Sequence, residues 1–294
     1  MRLGIALPQY GALADPSRIG EFAAAAEELG YGSLWVGDRV LTPTRPSDLY
    51  PGGTPERPYP PEFTRFVDPL ICLTAAAGAT KLARLGTSTL TGTLHAPVLL
   101  GRALTSLDLV SGGRLDVGLG LSWLRDEYTA TGVPWNERGR RLDELLDVLV
   151  AMWTRNPFAH DGVHWRVPES ALDLRPAQRP HPPLLLGGLS PRALDRAGRR
   201  ADGWLAVELP AAMFGSLWDT VRSAAESAGR DPGAVRRVVR INPAPGTTVE
   251  DLASRVDAVR DLGVEDAFVD LHYVADDIGG ALEFAAGLLG RVGV

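Results

Sequence analysis

Short apolar runs alternate with helical patterns along the whole chain, and this alternation is the feature that most constrains its fold. Aliphatic residues dominate each short run, as in a buried strand, and a stretch of helical periodicity follows each one. The predicted strands are Arg2–Leu7, Ser33–Val36, Ala83–Leu90, Leu115–Leu119, Leu184–Leu186, Gly203–Val207, Val235–Ile241 and Ala267–Leu271. The predicted helices are Pro16–Leu29, Asp68–Thr80, Pro97–Val110, Leu142–Trp153, Pro191–Ala201, Ala211–Ala228, Val249–Leu262 and Asp277–Val292. Eight strand–helix pairs in 294 residues predict an α/β fold, a (β/α)8 or TIM barrel, that forms a single domain over residues 1–294.

A doubly wound open sheet is the alternative fold. Such a sheet carries a glycine-rich turn after its first strand, where a dinucleotide phosphate binds. Here the first strand runs into LGIALPQYG, which has Pro8 at the turn and no GxGxxG motif. The barrel is therefore the preferred architecture.

Two insertions interrupt the alternation, after the second and the fourth predicted strands. Leu41–Phe66 is rich in proline and carries four aromatic residues, which favours an ordered lid over a disordered segment. Because this insertion follows the second strand, it belongs to the carboxyl end of the barrel, where barrel active sites form. The second insertion, Asn156–Pro183, contains a predicted hairpin over Phe158–Trp165.

Composition narrows the class of function. The net charge of −6 argues against a general nucleic-acid-binding surface, and the chain has no run of 18 apolar residues. The single cysteine, Cys72, lies in an apolar stretch, which predicts a core position and fits a reducing compartment. Lys81, the one lysine, falls away from the predicted active-site end, so Schiff-base chemistry is excluded there. We expect a cytoplasmic protein with neither a membrane nor a nucleic-acid partner, since the amino terminus does not resemble an export signal.

The segment from Leu82 to Leu121 carries the most specific information about function. It predicts a strand, a helix, a tight turn and a second strand, which together make a parallel βαβ unit. Both strands end in small residues, at Thr87-Ser88 in the first and at Gly118 and Gly120 in the second. We expect these small residues to leave room for a flat ligand above the sheet.

Three motifs resemble the luciferase-like superfamily of flavin and deazaflavin oxidoreductases. GLGLSWLRDE (118–127) is similar to the family pattern GxGxGWLxEE, and the following EYTATGVPWNERGRRLDELLDVLVAMWT is similar to EFxxxGVPFxERGxRxDExLxxLxxLW. GGLSPRALDRAGRRADGW (187–204) is similar to GGxSxxAxxxAxxxADGW. The resemblance, which runs from Leu3 to about Leu289, implies a barrel that binds either reduced FMN or the deazaflavin coenzyme F-420. It also implies a homodimer and, for some members, a separate reductase that supplies the cofactor.

The resemblance assigns cofactor contacts after the third and fourth predicted strands. Ser88 and Thr89 fall where deazaflavin-dependent members have a bulge with a non-prolyl cis peptide behind the cofactor ring, although the residues alone also fit an ordinary strand end. Ser122 and Trp123, after the fourth strand, are the second pair of predicted cofactor contacts.

A third set of predicted cofactor contacts is the turn Leu186-Gly187-Gly188-Leu189, which leads into the helix predicted from Pro191. Glycines let the backbone approach a ligand, and a helix start offers free N–H groups to an anion. Any tight turn between a strand and a helix also uses glycine, so the family match is what favours a phosphate site here.

Asp38 and Arg39 mark the point at which the chain departs from the family. Luciferase-like enzymes read WV-x-[DE]-H there, and in the dehydrogenase members the histidine is a general acid or base. Arg39 stands in its place, and a guanidinium can bind an anion or stabilise an oxyanion but cannot transfer a proton. The alternative is a plain charge pair at the barrel rim. We predict Asp38 as a catalytic and cofactor-binding residue, Arg39 as a catalytic residue, and His272, after the eighth strand, as a candidate for proton transfer.

No metal site is predicted, because the Asp161-Gly162 pair between His160 and His164 does not continue a helix that would align them. The functional hypothesis is an F-420-dependent oxidoreductase that transfers a hydride between the deazaflavin and a small carbonyl, enone, imine or alcohol. Two alternatives stay open: an FMN-dependent monooxygenase that uses reduced flavin and oxygen, and a non-catalytic flavin-binding barrel.

Overall fold

The computed structural model describes residues 1–292, and eight parallel strands in it close a barrel. The strands of the chain are β1 (Arg2–Ala6), β2 (Ser33–Val36), β3 (Arg84–Thr87), β4 (Leu115–Leu119), β5 (Phe158–Asp161), β6 (Arg166–Ser170), β7 (Leu184–Gly187), β8 (Gly203–Val207), β9 (Arg236–Ile241) and β10 (Asp266–Val269). The barrel order is β1-β10-β9-β8-β7-β4-β3-β2, and β1 closes it by pairing with both β10 and β2. The predicted (β/α)8 barrel is confirmed and the open sheet is wrong. Residues 293 and 294 of the predicted domain lie outside the described residues.

Helices surround the barrel. They are α1 (Ile19–Leu29), α2 (Pro69–Ala79), α3 (Pro97–Val110), α4 (Arg125–Ala130), α5 (Arg138–Thr154), α6 (Pro191–Arg200), α7 (Ala211–Ser227), α8 (Val249–Asp261) and α9 (Ile278–Val292). Eight of them correspond to predicted helices, and the six-residue α4 was not predicted because one and a half turns show no helical periodicity. Among residues 1–292, no helix has both the length and the apolar composition needed to cross a bilayer.

The barrel interior is filled by large apolar side chains rather than left as a pore. The rings of Trp35 on β2 and Phe268 on β10 stack with their centroids 4.7 Å apart. Gly86 on β3 makes room for this stack, because a Cβ there would lie 2.3 Å from the Trp35 indole. A second, larger cluster packs between strands and helices and includes the fully buried Cys72, as predicted. Burial raises the pKa of the Cys72 thiol to about 12, so this thiol stays protonated and inert.

Ion pairs close the amino-terminal end of the barrel, near the first residues of the strands. Asp116 accepts from Arg84 and from Arg236 at 2.7 and 2.6 Å. Asp266 pairs with Arg2 at 3.0 Å and with Arg236 at 3.3 Å. Because charged side chains occupy this end, the opposite end is the one open to a ligand.

The insertion Leu41–Phe66, hereafter the lid, is held onto α4. The Ser47 backbone N–H donates to Asp126 Oδ2 at 2.8 Å, and the Arg125 backbone N–H donates to Asp48 Oδ2 at 3.0 Å. Inside the lid, the Thr42 hydroxyl donates to the Phe63 carbonyl at 2.7 Å. The lid is therefore a shaped cover over the carboxyl end of the barrel, as its aromatic content predicts.

The second insertion forms the predicted hairpin, which is longer than expected. Strands β5 and β6 pair antiparallel over Phe158–Ser170, with an irregular register between Phe158 and His160. Phe158 and Val167 pack against Met152 of α5 in a small apolar cluster of their own. This hairpin lies along α5, because the Glu144 carboxylate accepts from the His164 and Trp165 N–H groups and the Arg141 guanidinium lies over the Trp165 ring.

Candidate functional site

A cavity of about 210 Å3 opens at the carboxyl end of the barrel, under the lid. The ends of β2, β3, β4 and β9 contribute to its wall together with aromatic residues of the lid. Six of the predicted site residues line this cavity: Asp38, Arg39, Ser88, Thr89, Ser122 and Trp123. The structure thus brings together residues that are up to 85 positions apart in the chain.

Aromatic rings form the lid side of the cavity. Tyr10, after β1, stacks on Phe66 with a centroid distance of 5.0 Å and an interplanar angle of 8°. Tyr50 meets Phe63 edge-on at 5.4 Å and Trp123 edge-on at 5.5 Å. Such rings present flat apolar surfaces, so this half of the cavity suits a planar or apolar ligand.

The peptide bond between Ser88 and Thr89 is cis, as the family resemblance predicts. Strand β3 ends at Thr87, and the chain rejoins the sheet at Leu90, which bridges to Leu119. Ser88 and Thr89 therefore lie outside the ladder, and both line the cavity.

Gly118 on β4 and Gly120 just after it allow the neighbouring chain segment to approach closely. A Cβ on Gly118 would lie 1.8 Å from the Thr87 carbonyl oxygen, and one on Gly120 would lie 2.2 Å from Thr89 Oγ1. Thr87 and Thr89 fill the space beside these glycines, but Gly120 also lines a second cavity that adjoins the first, so the room expected for a flat ligand there stays a prediction. The close approach of Gly118 to Thr87 and of Gly120 to Thr89 places Ser88 and Thr89 in the cavity wall.

A second cavity, of about 230 Å3, adjoins the first and reaches the predicted phosphate turn. The two cavities share Ser88, Thr89, Leu121 and Arg240 in their walls. Gly187, Gly188 and Leu189 line the far end of the second cavity. Together the two spaces form a groove that leads from the lid to the start of α6.

The turn before α6 has the features of an anion site. Gly188 has φ of +132°, and the Trp204 indole N–H fixes its carbonyl at 3.0 Å. The Ser190 hydroxyl caps α6 by accepting from the Ala193 N–H at 3.3 Å. Within residues 1–292, the N–H groups of Leu189, Ser190 and Arg192 donate to no protein acceptor. Free N–H groups at a helix start are what a phosphate binds.

Leu186 was predicted to contact the cofactor at this turn, but its side chain does not face the groove. Its side chain is buried in the apolar layer between the sheet and the helices and lines neither cavity. Alternation along β7 explains the difference, because successive side chains of a strand point to opposite faces.

Asp38 lies at the end of β2 with its carboxylate in the cavity wall. Its Oδ2 accepts a hydrogen bond of 2.8 Å from the Thr91 backbone N–H. Burial raises the pKa of Asp38, and the Thr91 N–H and the nearby His95 only partly oppose this effect. The carboxyl group therefore keeps its proton to higher pH than an exposed aspartate.

Arg39 lines the cavity and is also one half of an ion pair. Its Nη1 lies 3.1 Å from Glu127 Oε1, and the two side chains are 9% and 1% exposed. The guanidinium lies over two aromatic rings, 5.1 Å from the Trp123 centroid and 5.6 Å from the Phe63 centroid. Arg39 therefore faces the cavity and is paired with a carboxylate, as the charge-pair alternative expects, and its catalytic role stays a prediction. Glu127 was missed, although it closes the GLGLSWLRDE motif.

The part of the cavity wall at the ends of β1, β9 and β10 contains a polar group that was not predicted from the sequence. The Tyr10 hydroxyl donates to Asp270 Oδ2 at 2.8 Å, and the same oxygen accepts from Arg240. Arg240 Nε also donates to Asn242 Oδ1 at 2.8 Å. Burial alone would lower the pKa of Arg240, but the Asp270 charge raises it, so the guanidinium stays charged. These residues sit at the ends of β1, β9 and β10, and that position is the signal that could have found them.

His272 is at the expected end of the barrel but does not line the cavity. Its ring packs against Tyr10 with centroids 4.2 Å apart, and Tyr10 is the residue that faces the cavity. Burial lowers the pKa of His272. The position of His272 after a strand indicated the correct end of the barrel but not the direction of its side chain. The next residue, Tyr273, lines the cavity instead.

Ser122 and Trp123 lie after β4, as predicted. The Ser122 hydroxyl accepts from the Leu124 N–H at 3.1 Å, which fixes the turn into α4. The Trp123 ring lies between Tyr50 of the lid and the Arg39 guanidinium. Among the described residues, no group of three or more histidine, cysteine, aspartate or glutamate side chains could hold a metal ion.

The fold is a (β/α)8 barrel, and its groove extends from a lidded aromatic cavity to a helix start with free N–H groups. The chain belongs to the luciferase-like monooxygenase family, whose model matches residues 1–279. An uncharacterised protein of Mycobacterium tuberculosis is 30% identical over 217 residues, which are 71% of this chain and 74% of that relative. Family membership makes an oxidoreductase the class of enzyme to consider.

Solved structures share the whole fold. Monooxygenase RslO1 from Streptomyces bottropensis superposes with a TM-score of 0.80 at 20% identity, covering 99% of this chain and 98% of that one. An F-420-dependent secondary alcohol dehydrogenase, solved with an F-420–acetone adduct, gives a TM-score of 0.77 at 16% identity and 99% coverage of both chains. These likenesses confirm the barrel.

Proposed function

We propose that this protein is an F-420-dependent oxidoreductase acting on a small organic substrate. One observation carries the proposal: the cavity under the lid and the second cavity, which reaches the start of α6, share Ser88 and Thr89 in their walls. A flavin-type cofactor combines a flat ring with a phosphate on a short chain, and the two connected spaces match these two parts.

The residues present fit such a cofactor. The N–H groups of Leu189, Ser190 and Arg192 would hold the phosphate, and Ser88 and Thr89 would contact the ring. The bound cofactor supplies a hydride donor or acceptor. The chain itself supplies a lid that excludes water, a guanidinium at Arg39 that can hold an oxygen atom, and the Asp38 carboxyl, whose raised pKa lets it hold a proton at the cavity wall.

The F-420 branch is favoured over FMN by the LGTS sequence before Thr89 and by the GGLS turn, both of which resemble that branch. The alcohol dehydrogenase that shares the fold was solved with an F-420–acetone adduct. The second candidate, an FMN-dependent monooxygenase, is supported by the likeness to monooxygenase RslO1. We extend the proposal to a homodimer in either case, and to a partner reductase for the FMN alternative.

Anaerobic single-turnover measurements test this proposal. The protein is mixed under nitrogen with reduced F-420 and a panel of small carbonyls and enones, and the absorbance of oxidised F-420 is followed. We expect oxidation that requires both protein and substrate. In a second assay the protein is mixed in air with reduced FMN and the same substrates, and formation of an oxygenated product that requires the protein would contradict the proposal in favour of a monooxygenase. Tight cofactor binding without turnover in either assay would indicate a non-catalytic flavin-binding barrel.

A further inference from the structure

One charged side chain, Arg240, lies where the two cavities adjoin. It lines both the cavity under the lid and the second cavity that reaches the start of α6, together with Ser88, Thr89 and Leu121. Of these four shared residues it is the one that carries a charge, and its side chain is 24% exposed. A charge at the junction of two connected spaces faces the middle of a ligand that spans both.

The Arg240 guanidinium is held in one orientation by its neighbours. Its Nε donates to Asn242 Oδ1 at 2.8 Å, and its Nη2 donates to Asp270 Oδ2. Asp270 is fixed in turn, because its two oxygens accept from the Tyr10 hydroxyl and from the His272 backbone N–H. A guanidinium held at two of its three nitrogens is preorganised, so the third nitrogen points in a defined direction.

The third nitrogen, Arg240 Nη1, is an open donor. Within residues 1–292 it donates to no protein acceptor, and it is not among the polar atoms that are sealed from water. Because Arg240 lines both cavities, this N–H group is available to a ligand in the groove. The Asp270 charge keeps the guanidinium protonated, so the donor is a cation across the neutral pH range.

A flavin-type cofactor offers this donor one matching edge. Its chain is attached to a ring nitrogen, N10, which is flanked on one side by the acceptors N1 and C2=O and on the other side by C–H groups. With the phosphate at the start of α6 and the ring under the lid, the attachment point falls at the junction of the two cavities, beside Arg240. A C–H edge there would leave the N–H group without an acceptor, whereas the N1–C2=O edge satisfies it.

We propose that Arg240 Nη1 donates to the N1–C2=O edge of the cofactor ring. The guanidinium thereby sets which edge of the ring faces β9, and it stabilises negative charge on that edge. This inference rests on the proposed function for the presence of a flavin-type cofactor, and it applies to F-420 and to FMN.

The ionisation of bound F-420 tests the contact without turnover. Oxidised F-420 carries an acidic hydroxyl on its ring, the anion is delocalised onto the N1–C2=O edge, and absorbance follows its formation. A positive charge beside an anion lowers the pKa of the group that forms it. We expect the pKa of this hydroxyl to be lower in F-420 bound to the unaltered protein than in free F-420. A pKa equal to or above that of free F-420 would overturn the proposal.

Substitutions of Arg240 assign the effect to its charge. Arg240→Gln should raise the pKa of bound F-420 by about one unit, whereas Arg240→Lys retains a cation and should change it little. Arg255→Gln is the matched control, because Arg255 is 30% exposed and paired with Glu208 but lines neither cavity, and it should leave the pKa unchanged. Weaker binding with an unchanged pKa in Arg240→Gln would place the contact on the chain or the phosphate and overturn the proposal.

A double variant separates the Arg240 contact from the charge that Arg240→Gln uncovers. Asp270 loses its cationic partner in that variant, which lowers stability and by itself raises the pKa of a nearby acidic group. Arg240→Gln combined with Asp270→Asn removes both charges, so it should unfold at a higher temperature than Arg240→Gln and still show the raised pKa. A return of the pKa to that of the unaltered protein would assign the change to Asp270 and overturn the proposal.

The choice of cofactor separates this inference from the proposed function. If F-420 does not bind but FMN does, the F-420 function is wrong, and the reduction potential of bound FMN becomes the measurement. Arg240→Gln should then lower that potential by about 30 mV, which is a tenfold change for a two-electron couple, and an unchanged potential would overturn the inference. If F-420 is turned over but its bound pKa does not respond to Arg240→Gln, the function stands and the inference is wrong. Binding of neither cofactor would overturn both.

Discussion

Arg39 Nη1 lies 3.1 Å from Glu127 Oε1, and this buried pair joins the end of β2 to the start of α4. Glu127 Oε1 also accepts the Val40 backbone N–H at 2.9 Å, so one carboxylate oxygen fixes both the guanidinium and the first residues before the lid. Arg39, where the chain departs from its family, is thus tied to Glu127 of the GLGLSWLRDE motif. A substitution of either residue therefore changes the surroundings of the other.

Glu127→Gln leaves Arg39 as an uncompensated buried charge. We expect it to lower the free energy of unfolding by about 3 kcal/mol, at the lower end of the range for breaking a buried ion pair because Arg39 borders a cavity. Urea denaturation measures the change. Glu56→Gln, at an exposed position of the lid, is the control and should change stability by less than about 0.5 kcal/mol. Equal effects of the two substitutions would show that the pair is not structurally important.

Adding Arg39→Met to Glu127→Gln should restore part of the lost stability, because the lone buried charge is removed. A double variant that is less stable than Glu127→Gln by the full effect of Arg39→Met alone would refute this coupling.

Asp38→Asn should stabilise the protein at pH 7. Burial raises the pKa of Asp38 in the folded state, so ionisation costs stability above that pKa and costs nothing below the unfolded value of about 3.9. The advantage of the variant should therefore shrink as the pH falls from 7 toward 4. Each unit of pKa elevation corresponds to about 1.4 kcal/mol. Melting temperatures across this pH range test the point, and a difference that does not vary with pH would contradict it.

The turn before α6 is best tested at Leu189 rather than at Gly188. Gly188 has a positive φ, and a Cβ there would lie 2.6 Å from Ala193 Cβ, so any Gly188 substitution also strains the turn. Leu189→Glu places a negative charge beside the free N–H groups and should weaken cofactor binding about tenfold or more, whereas Leu189→Gln should change it little. Fluorescence titration of both variants gives the comparison. Equal affinities would mean that no phosphate lies there.

Gly118→Ala should be strongly destabilising, since its Cβ would lie 1.8 Å from the Thr87 carbonyl oxygen. A loss of at least about 3 kcal/mol is expected, because neither strand can shift without breaking the barrel ladder. Gly78→Ala, in α2 with no atom near the new Cβ, should instead gain about 0.5–1 kcal/mol. Thermal unfolding of the two variants should thus give changes of opposite sign, and two changes of the same sign would reject the packing argument.

The barrel could be predicted from the sequence because each strand and helix carries its own local pattern. Strands at Ser33–Val36, Leu115–Leu119 and Gly203–Val207 and the helix at Pro97–Val110 have the predicted ends, where turn or cap residues follow closely. Helix α5 begins four residues before its prediction, because its first turn, Arg138–Arg141, is polar and carries no apolar periodicity.

The site could be predicted only where a motif or a strand end marks it. Asp38, Ser88, Thr89 and Trp123 were found in this way, and all four line the cavity. Tyr10, Arg240 and Tyr273 were not, because their proximity depends on barrel closure between β1, β9 and β10, which no local pattern encodes. The same limit explains His272 and Leu186, whose positions along the chain were correct but whose side chains point elsewhere.

The most direct test of the account is a parallel fluorescence titration of the purified protein with F-420 and with FMN. The groove that joins Ser88 and Thr89 to the N–H groups before α6 predicts cofactor binding that is weakened in Leu189→Glu. The resemblance of LGTS and GGLS to the F-420 branch predicts F-420 binding at micromolar or tighter affinity and FMN binding at least about tenfold weaker. Tight FMN binding with no response to F-420 would contradict the account.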